Sequence, residues 1–190
     1  MGQYERPLIA LLANHFKSGG YRVFSHVRLN VALSPIVSDI DLLLLKNGEL
    51  TLIEVKSSHD KFSRASSQIQ GVSEFVDYAY VATDRLPTMD WTDTHIGLIL
   101  ANGDEVLQLV RAKKFRGEPS RNGLFQLQKK CLCRMAGVKD AGITKFEIVD
   151  SVHANWDAPL LRECVKCVVV CGGQCETDCP IRKFTKPPSS

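Results

Sequence analysis

Asn47-Gly48 stands between two short apolar runs, Asp41-Leu42-Leu43-Leu44-Leu45 and Leu50-Thr51-Leu52-Ile53-Glu54-Val55. An Asn-Gly pair between such runs is the strongest short-range hairpin signal, because both residues accept the positive φ of a type I′ turn. The two runs therefore pair as an antiparallel hairpin. Asp41 opens the first strand, and Glu54 with Lys56 closes the second. Asp41 and Glu54 are 13 residues apart with the turn about midway, so folding back sets them side by side. Glu54 and Lys56 are two apart on a strand and share a face. Two carboxylates and one ammonium thus converge at the open end of a sheet.

That set of groups suits a definite chemistry. Carboxylate oxygens are ligands for a hard divalent cation such as Mg²⁺. Such a cation activates water and offsets charge on a phosphate. A lysine beside it holds the attacking water or the phosphate oxygens. The competing reading is a cross-strand pair on the surface. Against it, an aspartate heading four leucines is costly when buried without a partner. Asp39 shares the Asp41 face, and His26 and His59 carry smaller claims as polar surface residues.

Around the hairpin the pattern is mixed. Apolar positions at Leu8, Leu11, Leu12 and Phe16 predict a helix over Pro7 to Phe16, stopped by Gly19 and Gly20. Tyr21 to Leu29 alternates as a half-buried strand does. Phe62 to Val76 reads as a helix, with Asp60 as its N-cap. Tyr78 to Thr83 reads as a strand, His95 to Ala101 as another ending at Asn102-Gly103, and Glu105 to Arg111 alternates well enough to pair with it. Leu124 to Met135, Thr144 to Val152 and Pro159 to Val170 read as helices. This order predicts an α/β fold with a mixed central sheet flanked by helices, followed by a helical C-terminal region. Pro119, Ser120 and Asn122-Gly123 mark a boundary, giving a core over 1–118, a helical, basic and cysteine-rich region over 119–182, and a tail over 183–190.

Composition narrows the class. Of 190 residues, 44% are hydrophobic and 24% charged, which excludes wholesale disorder. No apolar run approaches the roughly 18 residues of a membrane span, and the first residues do not read as a signal peptide. The expectation is a cytoplasmic protein that does not enter a membrane. The net charge is only +3, but Arg111 to Lys145 holds ten basic and two acidic residues. That basic stretch reads either as a solvated helix face or as a footprint for a polyanion. On the second reading Arg111, Lys113, Lys114 and Arg116 bind the DNA backbone.

Five of seven cysteines fall between Cys164 and Cys179. Cys164, Cys167, Cys175 and Cys179, with Cys171 as a substitute, form a compact thiolate set for Zn²⁺ or a [4Fe–4S] cluster. Cys175 and Cys179 sit among polar residues and fit a packed core poorly. Cys131 and Cys133 read instead as core residues. The Cys164-Val165-Lys166-Cys167 sequence lacks the βαβ context of a thiol redox enzyme.

Ser38-Asp39-Ile40-Asp41-Leu42-Leu43-Leu44-Leu45 and Leu52-Ile53-Glu54-Val55-Lys56-Ser57-Ser58 together resemble the core of the PD-(D/E)xK nuclease superfamily, and among its branches the RecB-like and MmcB-like DNA repair nucleases. The resemblance covers about residues 1 to 110. It implies a restriction-endonuclease-like core, Asp41 and Glu54 as ligands of Mg²⁺ or Mn²⁺, the Val55 carbonyl as a third ligand, and Lys56 as the catalytic lysine. Gln68 falls where RecB-like members carry a QxxxY motif and would lie near the scissile phosphate, although Val72 replaces the tyrosine. Ile40 stands at the proline position. Glu5 corresponds to an acid that some members place near the metal on their first helix. Some relatives also carry a cysteine-ligated iron–sulfur cluster, with cysteines on both sides of the core. The expected function is a metal-dependent deoxyribonuclease of DNA repair, recombination or phage and defence DNA processing, with DNA as substrate and a helicase, a CRISPR system or a phage replication machine as candidate partners. The alternative is a non-catalytic nucleic-acid-binding or regulatory module whose cysteine site is structural or redox-active.

Overall fold

A computed structural model describes residues 5–29, 38–57, 65, 68, 69, 73–86, 95–115, 120–125, 127, 129–156 and 163. The chain divides into two compact units, Met1–Arg28 with Asp39–Arg116, and Leu29–Ser38 with Gly117–Ser190. The first holds helix α1 (Glu5–Ser18) and strands β1 (Arg22–Leu29), β2 (Ser38–Lys46), β3 (Glu49–Lys56), β4 (Tyr78–Thr83), β5 (Gly97–Asn102) and β6 (Glu105–Val110). The protein is α/β. Its six strands form one mixed sheet in the order β1-β2-β3-β4-β5-β6. The β2–β3 and β5–β6 pairs are antiparallel, whereas β3–β4 and β4–β5 are parallel.

The hairpin forms as its sequence dictates. Lys46 pairs with Glu49, leaving Asn47 and Gly48 as a two-residue turn. Their φ values of 53° and 78° are the two positive angles of a type I′ turn. Leu42 pairs with Ile53 and Leu43 with Leu52. The central strands are apolar on both sides, and Leu42, Leu43, Leu44, Leu52, Ile53 and Val55 are all buried. On one face, Leu42, Leu44, Ile53 and Val55 form a cluster with Leu8, Ile9 and Leu12 of α1. The helix ends in a Schellman arrangement. Tyr21 N–H donates to Phe16 O and Gly20 N–H to Lys17 O, with Gly20 at φ 79°. The accompanying apolar contact is an edge-to-face pair of Phe16 and Tyr21 at 5.4 Å between ring centres.

A buried aspartate ties the near end of the sheet together. Asp77, 1% exposed, accepts from Leu50 N–H through Oδ2 at 2.9 Å. Its own N–H donates to Leu50 O, and its carbonyl accepts from Phe115 N–H, each at 2.8 Å. One residue thus fixes the start of β3, the start of β4 and the chain leaving β6.

Three sequence expectations need adjustment. The helix expected over Leu124 to Met135 is broken in two, α2 (Arg121–Leu124) and α3 (Lys129–Ala136). Ser120 caps the first turn by accepting Gly123 N–H, and Phe125 N–H turns back to Asn122 O before the chain restarts. The helix expected over Phe62 to Val76 gives way by Ser73–Phe75 to a short 3-10 turn, although Ala65, Gln68 and Ile69 are helical. The β5–β6 turn falls on Gly103-Asp104, one residue later than Asn102-Gly103, because Asn102 pairs with Glu105. Helix α4 (Lys145–Asn155) begins at Thr144 with a reciprocal capping box to Glu147. In this second unit Cys131 and Cys133 are buried and not in a disulfide, and Leu132, Met135, Ile148 and Val152 are buried as well. Most of the expected helix from Pro159, the 183–190 tail and Asp60 lie outside the described residues. Among the described residues no helix is long and apolar enough to cross a membrane.

Gly97 faces Tyr80 across the β4–β5 pair. A β-carbon there would meet the Tyr80 ring at 2.3 Å and the Ala112 backbone N at 2.7 Å. The backbone atom cannot swing away, so overpacking is expected to cost about 1–3 kcal/mol. Gly97→Ala should lower the thermal midpoint by several degrees in calorimetry, and an unchanged midpoint would refute this packing.

Candidate active site

The open end of the β2–β3 hairpin is where charge enters the buried part of these two strands. The register that pairs Leu42 with Ile53 leaves Asp41 and Glu54 as the next residues in line. Asp41 Oδ2 accepts the Val55 backbone N–H at 2.8 Å. Glu54 Oε1 accepts from Lys56 Nζ at 2.6 Å. Glu54 is 5% and Lys56 9% exposed, so this ion pair is largely withdrawn from water.

These groups share one cleft of about 860 Å³. Helix α1 contributes Glu5, Arg6, Ile9, Ala10 and Ala13, β1 contributes Ser25 and His26, and Gln68 completes the wall beside Asp41, Glu54 and Lys56. The positions on α1 recur at helical spacing, flanking the Leu8 and Leu12 stripe that packs into the core. The small side chains of Ala10 and Ala13 leave the cleft open along the helix. His26 lies in β1 with φ 55°, a left-handed conformation that a non-glycine residue adopts at a cost of roughly 1–2 kcal/mol. Strain of this kind concentrates at functional sites.

Electrostatics set the character of the cleft. Burial pushes the Glu54 carboxyl up to about 7, and the Asp41 charge adds to the push, outweighing the attraction and hydrogen bond of Lys56. Asp41 is also raised, first by burial, while the Val55 N–H, Lys56 and His26 pull it down. Glu5 disfavours ionisation of both. Three acids therefore face one buried lysine, and ionising both hairpin carboxylates is expensive. A divalent cation relieves that cost. Among the described residues no group of three or more His, Cys, Asp or Glu is arranged as a metal cage. Mg²⁺ does not require one, since it is commonly held by one or two carboxylates with waters and substrate phosphates completing its shell. The donor set fits such an ion.

Asp41, Glu54, Lys56, Gln68 and Glu5 are thus brought to one cleft, and the Val55 backbone is beside them through its N–H. The expected phosphate-binding residues fare differently. Arg111 and Lys113 are exposed. Lys114 is held by Glu49 and lies 3.7 Å from Asp77. Arg116 lies outside the described residues, as do His59 and Cys164, Cys167, Cys171, Cys175 and Cys179. Sequence reasoning missed Arg6 and Ser25. The signal for Arg6 was the Arg6-Ala10-Ala13 row beside the apolar stripe of α1; nothing in the sequence singles out Ser25.

No family model matches the chain, and no curated protein does. Among solved structures it is similar to the SPO1766 protein of unknown function from Silicibacter pomeroyi, with 23% identity and a TM-score of 0.49 over 65% of this chain and 82% of that one.

The raised Glu54 carboxyl predicts a pH dependence of stability. Its ordinary value is 4.5 and its folded value about 7, so the folded state takes up a proton in that window. Stability is then greatest below the unfolded value and falls as pH rises through the folded one, by about 3 kcal/mol if the shift is fully expressed. Metal-free protein should melt at a lower temperature at pH 8 than at pH 5, and Glu54→Gln should flatten the difference. A wild-type midpoint that rises across this range, with the variant following in parallel, would contradict the crowded pair.

Proposed function

We propose that the chain is a metal-dependent deoxyribonuclease of the PD-(D/E)xK type, built on a restriction-endonuclease-like core, that hydrolyses DNA phosphodiester bonds in repair, recombination or phage and defence DNA processing. The observation that carries this reading is the convergence of Asp41, Glu54 and Lys56 in one cleft, with both carboxylates resisting ionisation. A purely structural ion pair would not need a second buried carboxylate against it.

Asp41 and Glu54 would hold Mg²⁺ or Mn²⁺, with the Val55 carbonyl as a further ligand. The bound cation supplies an activated water and offsets charge on the phosphate. Lys56 does the work of positioning. Its ammonium is anchored on Glu54 and keeps N–H donors for the attacking water or for a phosphate oxygen as charge grows there. Asp41 is fixed by the Val55 N–H and so presents its carboxylate in one orientation. Gln68, in the same cleft, offers an amide donor to the phosphate. Arg6 is an exposed cation on the same cleft and binds the flanking backbone. Exposed Arg111 and Lys113 extend phosphate contact elsewhere on the unit, with the salt sensitivity that counterion release imposes.

The test is cleavage of circular single-stranded, linear single-stranded and linear duplex DNA with Mg²⁺ or Mn²⁺. Wild type should cut, while Asp41→Ala and Lys56→Ala should each lose at least about a hundredfold, as expected when an electrostatic group at the reacting phosphate is removed. Cutting of the circle identifies an endonuclease. Cutting that survives both substitutions would remove these residues from the chemistry. DNA binding without any cutting would favour the regulatory-module alternative.

The cysteine set remains part of the proposal as a site for Zn²⁺ or a [4Fe–4S] cluster. Metal analysis of anaerobically purified protein should find zinc or iron near one site's equivalent per chain, and finding neither would end that assignment.

A further inference from the structure

A second cavity, of about 440 Å³, lies on the α1 side of the sheet near the Asn47-Gly48 turn, in the same unit as the acidic cleft. Its size falls in the range of small-molecule sites. Four half-buried aromatic rings line it: Phe16, Tyr21, Tyr78 and Tyr80. Two cations, Lys46 and Arg111, stand on its rim. The chemistry is unlike that of the acidic cleft, and cleavage uses none of its rings.

The rings are held in place. Phe16 and Tyr21 lock edge to face as the closing contact of the α1 cap. Tyr80 occupies the space above Gly97 that any β-carbon would fill, and its hydroxyl donates toward Gln108 Oε1 at 3.4 Å. The cations are placed as firmly. Lys46 Nζ donates to Gly19 O at 2.6 Å and sits 4.6 Å from the centre of the Tyr21 ring. One donor of its three is used there, so others remain for an anion. The acid on this wall, Glu49, is neutralised by Lys114. Arg111 is exposed and makes no ion pair among the described residues. The cavity thus offers flat ring walls, a net positive rim, and the side chains of Asn47, Thr51 and Gln108 as hydrogen-bonding groups.

A flat heteroaromatic ring with donor and acceptor edges, joined to a phosphate, matches all three features. We propose that this tyrosine-lined cavity binds a nucleotide, its base against the tyrosine rings and its phosphate on Arg111 and Lys46. The nucleotide is either free or one unit of a single strand. Base stacking on aromatic side chains with a cationic track is how strands are held without sequence preference. The assignment rests on the cavity's own residues and not on the cleavage reaction.

Binding is measured on the full chain in EDTA, so that hydrolysis does not intervene. The probes are deoxyadenosine monophosphate, a short labelled oligothymidylate, and ribose 5-phosphate as a phosphate without a base. A free-nucleotide site predicts saturable binding of the mononucleotide but not of ribose 5-phosphate, weakened at least about tenfold by Arg111→Ala and by Tyr78→Ala. A strand site predicts the same losses on the oligothymidylate, with the mononucleotide bound weakly or not at all. Asp41→Asn, which alters only the acidic cleft, should leave mononucleotide binding unchanged, so loss of cleavage and loss of this site are read separately. The proposal is overturned if no probe binds, if ribose 5-phosphate binds as well as the nucleotide, or if Arg111→Ala leaves affinity unchanged. Arg111 is exposed and its removal leaves the core intact, so that variant decides even if Tyr78→Ala fails to fold.

Discussion

The two-residue turn at Asn47-Gly48 fixes everything at the far end of its hairpin. Because Lys46 pairs with Glu49, each residue of β2 has one partner on β3, down to Leu42 with Ile53. A slip of one residue would reverse every side chain between the two faces of the sheet. Leu42, Leu44, Ile53 and Val55 would leave the cluster they form with α1, and Asp41 would no longer follow in line with Glu54. The apolar pattern and the turn specify the same register, which is why the charged end is placed without any contact of its own having to enforce it. The Val55 N–H to Asp41 bond and the Lys56 to Glu54 bond then refine a position already determined.

The cost of that arrangement falls on the carboxylates. Two acids brought together and partly dried are each pushed toward the neutral form. One lysine does not offset both. A sheet that needed only stability would gain from replacing Glu54 and Lys56 with apolar residues, since buried ion pairs contribute little net stabilisation. Keeping them makes the hairpin end an electrostatically unsatisfied surface facing a large cleft. His26 adds backbone strain on the same wall. Both features concentrate unfavourable energy at this cleft, and on the proposed reading a bound cation would offset the part that the carboxylates carry.

The sequence made this end of the molecule legible because its signals are local. An Asn-Gly turn, period-two alternation and short separations place Asp41, Glu54 and Lys56 without knowledge of the rest of the fold. Where the signal is not local, the reading is incomplete. Asp77 before β4 looks like an ordinary turn residue, yet it binds Leu50 and Phe115, which are distant in sequence. Lys114 looks like a free cation in a basic run, but the strand order carries it to Glu49. The break between α2 and α3 depends on Ser120 outcompeting a continuous apolar period, a choice that propensity alone does not settle. The tyrosine-lined cavity draws on α1, the chain after it and five strands of the sheet. No window of sequence contains enough of it to suggest a site.

The same strands therefore present two different surfaces along their length. On β3, Thr51 lines the tyrosine cavity while Glu54 and Lys56 line the acidic cleft. Lys56 lies five positions along from Thr51, roughly 17 Å at the rise of an extended strand. Helix α1 runs alongside both, giving Arg6, Ile9 and Ala13 to the cleft and Phe16 to the cavity. A rigid sheet fixes that separation more tightly than loops would, because neither surface can move without breaking strand pairing or the α1 core contacts. The two surfaces also differ in charge. The acidic end repels a polyanion unless a cation intervenes, whereas the aromatic end with Arg111 and Lys46 attracts one directly. On the proposed reading, a nucleotide held at the second surface would leave the first acidic enough to take a divalent ion, and the two surfaces would meet opposing electrostatic requirements at opposite ends of one hairpin.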